Sequence, residues 1–517
     1  MAQPSPGVIL VRSPTGFSSS VAISVTPPVR PLTRIRSRAC WVEAMSTVIV
    51  IVRNAVLAVL VAWATTYVSA RGNVLSGRSV AQQSYNEFLF ATFFWTQVFY
   101  CFTGTWMQAA TLLRHRFQSR PNAYPTLVEC FARVARRGLP YYMVVVGIWL
   151  SMARIFSTLK PSTRVRRIKL EYYLHIVGSF VYTIGMGIIG RHIFKFETVE
   201  GHQRLQRCVS STNEIDHSET KKPSWIPSRV VQHLVLFGRF FYVRFPMILC
   251  VELTSVYTQV MSSRRLQVSL DIYVVTFTCL AVKICVQELA KRAMLRKVKH
   301  VRTMFLAVAM PTVLIDTQLR VVLQRLDSTQ LTITGTALLA ACEIVMRIAK
   351  TLLVRVECHR LDTQWKRQCV SVAPTNGDVT HRRSQGQVEA IKAKLMAFHS
   401  AELFSDMLAE YIAMGCSTAA LFFYWDHPKY HLGHVDHSSG TNLTSSPASS
   451  WTQHQSTLLI VQVIAEMVVD TASCAFELSL GVSFHEIRRH GTYLVLLSVV
   501  LAVINTFVTA SIYIRND

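Results

Sequence analysis

Apolar stretches of about twenty residues recur along the whole chain, with basic loops between them, and they limit the possible folds more than any other feature. Stretches such as 457–477 and 491–514 are long enough to cross ~30 Å of hydrocarbon as a helix. A core helix of a soluble protein rarely needs so many apolar residues in a row. The sequence therefore predicts an all-α, polytopic integral membrane bundle of about ten or eleven transmembrane helices.

Two of the predicted spans are weaker than the others. The stretch 303–322 contains Pro311, Asp316 and Arg320, so an interfacial or re-entrant segment is an alternative to a full crossing. The stretch 230–261 contains Arg239 and Arg244, so only its second half is expected to span. The candidate spans are 46–69, 88–113, 140–158, 172–190, 241–261, 268–290, 303–322, 331–353, 402–425, 457–479 and 491–514.

The charge balance fits a membrane protein better than a nucleic-acid-binding one. The chain has 51% hydrophobic and only 16% charged residues, and its 54 Lys and Arg against 29 Asp and Glu leave a net charge of +25. The basic residues lie between the apolar stretches, where the positive-inside rule and anionic lipids account for them. We predict no nucleic-acid partner and no cofactor, and no Walker A, HExxH or potassium-filter motif is present.

Loop charges predict the orientation. With the amino terminus in the cytoplasm, the segments 1–45, 114–139, 191–230, 291–302, 354–398 and 480–490 are inside and hold most of the loop Lys and Arg. The loop 159–171 breaks the pattern, because its basic residues fall outside. The sequon at Asn442 lies in the predicted exterior loop 426–456, where glycosylation would occur. No Cys falls in an exterior loop, so no structural disulfide is expected.

These boundaries divide the chain into six parts. We predict a basic disordered tail or targeting segment (1–45), amino-terminal membrane helices (46–190), a cytoplasmic polar loop (191–230), central membrane helices with a polybasic connector at 291–302 (231–353), a cytoplasmic loop with the start of an amphipathic helix (354–401), and carboxy-terminal membrane helices (402–514). The first part has the composition of a transit peptide, and 46–70 resembles either a signal peptide or an uncleaved anchor. Localisation to the secretory pathway or plasma membrane is expected, with an organellar membrane as the alternative.

Acidic residues repeat on one face of the span 457–479. Glu466, Asp470 and Glu477 fall within ~40° of one another at 100° per residue. Carboxylates inside a membrane helix are costly and must face protein, water or a cation. Two further helical stripes precede this one. They comprise Glu402, Asp406 and Glu410 after His399, and Glu343 with the cations Arg347 and Lys350.

These stripes support two functional hypotheses. In the first, the carboxylates form a pathway or coupling site for protons, cations or a proton-coupled solute, and Arg347 is the internal counter-charge. In the second, Arg347 and Lys350 neutralise the acids and fix the helix register of a membrane scaffold or receptor-like protein. A membrane-embedded transferase using His431 and Asp436, spaced H-x₄-D, is a third alternative. Enzymatic activity is less expected than transport.

Two other patterns have specific and general interpretations. His427, His431, His434 and His437 lie close together in the loop 426–456, where they form either a weak Zn²⁺ or Cu²⁺ site or an ordinary solvated loop. The basic segment 291–302 would bind anionic lipids or simply determine topology. The lone charges Glu252 and Lys283 are interpreted as structural, and Glu252 could pair with Arg239, Arg244 or Lys283. The oligomeric state is not predicted.

Overall fold

The computed structural model describes residues 38–159, 169–213, 229–262, 269–297, 301–324, 329–371, 378–430, 432, 448–488 and 490–515, and these ranges are α-helical without any strand. The predicted all-α bundle is confirmed. The helices are α1 (Arg38–Ala70), α2 (Tyr85–Leu112), α3 (Leu127–Leu159), α4 (Leu170–Glu197), α5 (Val199–Asn213), α6 (Arg229–Ser262), α7 (Ser269–Lys297), α8 (Val301–Gln324), α9 (Thr329–Ser371), α10 (Asp378–Tyr424), α11 (Ala448–Ser479), α12 (His485–Arg488) and α13 (Gly491–Tyr513).

Every predicted span coincides with one of these helices. Seven of the described helices are long and apolar enough to cross a membrane, and the chain is therefore an integral membrane protein. These seven are α1, α4, α6, α8, α10, α11 and α13. The other predicted spans lie in α2, α3, α7 and α9.

Contacts between helix ends define one face of the bundle. His427 Nε2 donates a hydrogen bond to the Ala70 carbonyl at 2.8 Å. Tyr430 forms an isolated backbone bridge with Ile514, and Lys169 Nζ lies 3.0 Å from the Ile514 carbonyl oxygen. The predicted topology places all of these residues outside, so the contacts agree with the predicted alternation of the helices.

The opposite face is joined in the same way. Phe117 and Thr198 form a second isolated backbone bridge. Arg488 lies 3.7 Å from a Glu43 carboxylate oxygen, which ties the start of α1 to α12. All four residues fall in segments that the loop charges assign to the cytoplasm, so each of these contacts joins ends on the same predicted side.

Lys169 belongs to the loop 159–171, whose basic residues do not fit the positive-inside rule, and it has a structural role of its own. Its buried ammonium donates to the carbonyls of Ser511 (2.6 Å), Ile512 (2.7 Å) and Ile514 (3.0 Å). These are carbonyls at the carboxyl end of α13, where the helix dipole favours a cation. Lys169 thus caps a helix, while residues 160–168 lie outside the described part.

Helix α8 lies at the centre of the bundle rather than at an interface. The apolar window within Met304–Gln324 is 94% buried, and its most extensive packing is against α10. This burial does not fit an interfacial segment, and the unbroken helix Val301–Gln324 favours a full crossing over a re-entrant segment. Pro311 is accommodated inside the helix because neighbouring helices surround it.

Helix α1 packs against α10, α11 and α13 through small side chains. Ala44, Ala55, Ala58 and Ala62 are all buried along it. Small residues let the backbones of membrane helices approach closely. This face makes α1 part of the described bundle. The signal-peptide and uncleaved-anchor alternatives for 46–70 both stay predictions.

Two segments predicted as polar loops are partly helical. In 191–230, α4 continues to Glu197 and α5 follows, while 214–228 lie outside the described residues. In 354–401, α9 continues to Ser371 and α10 begins at Asp378. A helix that is already nucleated in the membrane can extend into polar sequence at little cost, which composition alone does not reveal.

Candidate functional site: a buried carboxylate cluster

Helices α7 to α11 bring many ionisable side chains into the interior. The carboxylates come from three helices that the sequence singled out and from α8. Together we call them the carboxylate cluster: Asp316, Glu343, Glu402, Asp406, Glu410, Glu466, Asp470 and Glu477, all buried.

Lys283 of α7 lies at the centre of one part of the cluster. Its Nζ is 2.9 Å from Asp316 Oδ2, 3.0 Å from Glu343 Oε1 and 3.6 Å from Glu410 Oε1. The lysine and all three acids are buried. One ammonium therefore faces three carboxyl groups from three helices and cannot neutralise all of them.

Arg347 of α9 organises the second part. Its Nε and Nη2 donate to the two Glu477 oxygens at 3.0 and 3.2 Å, and Nη1 forms an ion pair with Asp470. This bidentate geometry is the strong form of an arginine–carboxylate pair. Arg347 Nη2 also lies 3.3 Å from Met407 Sδ of α10, so the guanidinium joins three helices.

The third part lies one turn further along α9. Lys350 Nζ is 3.2 Å from Glu402 Oε1 and 3.4 Å from Asp406 Oδ2. Lys291 adds a second cation 3.0 Å from Glu402 Oε2, and the Gln287 amide donates to Asp406 Oδ1 at 2.7 Å. These two acids are well compensated by cations and hydrogen bonds.

The remaining acids form two overlapping triplets. Oxygens of Asp316, Glu343 and Glu410 lie within 4.8 Å of one another, as do oxygens of Glu410, Glu466 and Asp470. Glu410 belongs to both triplets. Clustered carboxylate oxygens suit hard cations such as Mg²⁺, Ca²⁺ and Mn²⁺, and they also suit protons shared between carboxyl groups.

The site holds more acids than cations. The eight members of the carboxylate cluster face Lys283, Lys291, Arg320, Arg347 and Lys350. In addition, Glu343 Oε2 is buried without a hydrogen-bond partner in the part of the chain that the structure describes. Uncompensated carboxylates are very costly in a low-dielectric interior, so the excess favours uptake of protons or of a cation.

The structure brings together the carboxylates that the sequence predicted and adds others. Glu466 and Asp470 meet Glu410, and Arg347 and Lys350 pair with acids of α10 and α11. Arg347 donates to both oxygens of Glu477, and Lys291 and Lys350 each contact one oxygen of Glu402, so these two acids are the most fully compensated.

Three residues of the site are missed by the sequence analysis: Asp316, which belongs to the carboxylate cluster, and the cations Lys283 and Arg320 beside it. The sequence predicts Lys283 only as a lone structural charge. It indicates Asp316 and Arg320 only as signs that the span 303–322 is weak. Both α8 residues are buried, and Arg320 lies near enough to Asp316 and Glu466 for a favourable charge interaction. The sequence contains a signal that could have identified all three residues, because an ionisable residue inside an apolar span is a functional candidate by default. Glu252 does not pair with Lys283, and its oxygens have no hydrogen-bond partner among the described residues.

The histidine loop is described only in part. His427 Nε2 donates to Ala70 O, and Nδ1 accepts the Lys429 backbone N–H at 3.1 Å, so both ring nitrogens have partners. The other predicted members of this loop lie outside the described residues. They are His431, His434, His437, Asp436 and the sequon residue Asn442.

The polybasic connector is also described only in part. Lys291 points inward to Glu402, whereas the Arg292 side chain is exposed. Lipid binding by 291–302 stays a prediction.

Comparison with known proteins found no matching family model, no similar curated protein and no similar solved structure. The chain is thus described by its architecture: a multi-pass helical membrane protein with a buried, acid-rich cluster of charged side chains.

Proposed function

We propose that the protein is a transporter or channel for protons, a small cation or a proton-coupled solute, and that the carboxylate cluster is its pathway or coupling site. The observation that carries this proposal is the excess of buried carboxylates over cations. A membrane protein that needs only rigidity gains nothing from acids that its own cations leave unpaired. An exchangeable proton or cation supplies the missing positive charge.

The two overlapping triplets support a stepwise transfer. A proton or cation shared by Asp316, Glu343 and Glu410 can pass to Glu466 and Asp470 through Glu410, which belongs to both triplets. Lys283 contacts all three acids of the first triplet and competes with the transported ion there. Such competition keeps binding weak enough for release.

Flux through liposomes tests the proposal. Purified protein is reconstituted, and proton and metal-cation fluxes are measured under imposed gradients for wild type and for Glu466→Gln/Asp470→Asn. The matched control Glu357→Gln/Asp426→Asn changes the same residue types at exposed positions. We expect flux in wild type and control and its loss in the cluster variant at equal folding and incorporation. Absence of wild-type flux under every gradient would contradict the proposal.

A scaffold is the second candidate, and the multiple ion pairs favour it. Arg347 connects three helices, and its partners are Asp470 and Glu477 rather than Glu466. The informative charge swap is therefore Arg347→Glu with Glu477→Arg. A scaffold should recover its thermal stability and membrane assembly in the double variant, whereas a transporter should stay inactive even when folded.

We further propose a membrane of the secretory pathway or the plasma membrane. Glycosylation at Asn442 would support both this location and the predicted orientation. The test is a mobility shift on glycosidase treatment that Asn442→Gln abolishes. Protease protection of the 426–456 loop in intact cells, without glycan, would argue against both.

A further inference from the structure

A second charged site lies away from the carboxylate cluster, between α4 and α6. The Arg244 guanidinium packs against Gly187, where an added Cβ would lie 3.4 Å from Arg244 Nη2. The Arg191 guanidinium lies over the Phe240 ring, 4.3 Å from its centroid. The two arginines are close enough for their charges to repel one another. Like charges are thus held together by the packing of two helices.

This arginine pair lacks the acids that surround the other interior cations. Lys283 and Arg347 each contact at least two carboxylates. By contrast, no carboxylate of the described residues lies within 4.0 Å of Arg191 or Arg244. An arginine within a membrane span normally has an anionic or carbonyl partner, so Arg244, in the predicted span 241–261 and repelled by Arg191, lies where an anion would be favoured.

The groups beside the pair suit an oxoanion. Tyr100 and Tyr493 lie near enough to Arg244 for a charge interaction, and the Tyr100 hydroxyl already bonds to the Ser179 carbonyl and to Thr183. The Gln108 side chain fills the space over Gly190, one residue from Arg191. Guanidinium forks, amide N–H groups and phenol hydroxyls are all donors to phosphate oxygens. No acid interrupts this set of donors.

The surroundings leave room for a ligand that comes from the bilayer. Tyr100, Gln108 and Met247 line a mostly apolar pocket that neither arginine lines, and Met247 of this pocket lies about one helical turn from Arg244. On the outer side, Tyr242 and Phe245 of α6 are exposed large side chains that would contact acyl chains. The Arg191 side chain is itself exposed. An anionic head group can therefore reach the pair while its chains stay in lipid.

We propose that Arg191 and Arg244 bind a phosphate group, carried by a phospholipid of the surrounding bilayer or free in solution. Each guanidinium offers two parallel N–H donors that match two phosphate oxygens. This site lies on helices other than those of the carboxylate cluster and outside the segment 291–302. It is independent of the proposed transport function.

Ligand titration of the purified full-length protein tests the site. Dioctanoyl phosphatidic acid, dioctanoylglycerol, which has no phosphate, and inorganic phosphate are titrated separately, with native mass spectrometry and the unfolding temperature as readouts. The variants are Arg191→Gln/Arg244→Gln and the control Arg71→Gln. Arg71 is also an exposed arginine beside an aromatic ring, Tyr67, but lies at the opposite end of the bundle.

We expect wild type and Arg71→Gln to bind phosphatidic acid more tightly than dioctanoylglycerol, and the double variant to bind it at least tenfold more weakly. Stabilisation by inorganic phosphate equal to that by phosphatidic acid identifies a free anion as the ligand, and a preference for the lipid identifies the head group. If the double variant does not fold, Arg191→Gln alone replaces it. Equal wild-type binding of phosphatidic acid and dioctanoylglycerol, or an equal loss in Arg71→Gln, overturns the proposal.

Discussion

The two halves of this bundle bury polar side chains in opposite ways. In α2 to α4 the interior polar groups are neutral, and they hydrogen-bond to one another. The Gln97 amide donates to Ser179 Oγ at 2.9 Å and lies 2.9 Å from His175 Nε2, and Tyr182 lies 2.8 Å from Thr105. In α7 to α11 the interior groups are charged, and acids outnumber cations.

The difference shows where ion chemistry can occur. Aromatic rings close the neutral network, since the rings of Phe93, Trp149 and Phe507 lie 4.2–4.7 Å from the His175 ring. Such a network is satisfied as it stands and has no use for an ion. The charged half holds more acids than cations, and on our proposal a proton or a cation supplies the balance. The following predictions test whether the first half only stabilises the fold while the second also binds ions.

The largest effect is expected from Arg347→Gln. It leaves Asp470 and Glu477 buried without their cation, and breaking a buried pair in this way costs about 3–5 kcal/mol. Thermal unfolding in detergent should show a large fall in stability. The control Arg292→Gln removes an arginine whose side chain is 79% exposed, and its effect should stay within about 0.5 kcal/mol. Similar stabilities for the two variants would show that the pair is not needed.

Glu410→Gln should remove flux without loss of stability. The substitution keeps the shape of a side chain that both triplets share and removes one of several repelling charges. We expect at least a tenfold fall in proton or cation flux in liposomes at unchanged or higher unfolding temperature. Full flux in this variant would exclude transfer through Glu410.

Gln97→Leu should lower the stability of the fold without a loss of flux. It leaves the buried His175 ring without its amide partner and removes one of the hydrogen bonds of Ser179 Oγ, at a cost of about 1–3 kcal/mol. Flux per folded molecule should equal that of wild type. A specific loss of flux would show that the neutral half also takes part in transport, and the contrast between the halves would fail.

The smallest effect concerns pH at the predicted exterior face. Burial lowers the pKa of His427, with Ala70 and Lys429 as further contacts. A histidine with a lowered folded pKa keeps its full contribution above the unfolded pKa of about 6.5 and loses it as the pH falls below that value. The unfolding temperature of wild type should therefore fall more steeply below pH 6.5 than that of His427→Gln. Parallel curves would contradict this prediction.

Hydropathy was sufficient for the fold because each span is a local property of the sequence. The long apolar runs alone place α1, α11 and α13. The extensions of α9 to Ser371 and of α10 back to Asp378 are polar, so nothing in hydropathy marks them.

The site was only half predictable, because spacing shows which residues share a face but not which helices face each other. The i, i+4, i+11 spacing predicts one acidic face for Glu466, Asp470 and Glu477, and all three are buried. Lys283 contacts Asp316, Glu343 and Glu410 rather than Glu252. These contacts depend on helices that are neighbours in the bundle but lie far apart in the sequence. That information resides in packing, which appears only once the bundle is assembled.

The packing of α1 against α10, α11 and α13 also bears on biogenesis. Trp63 Nε1 of α1 donates to the Gly415 carbonyl at 3.2 Å, a contact between residues 352 positions apart. Ribosomes deliver the amino terminus first. Helix α1 must therefore wait, with its alanine face exposed to lipid or to an insertion chaperone, until α10, α11 and α13 have been translated. Truncated chains should accordingly be recognised by quality control even when their early helices have inserted.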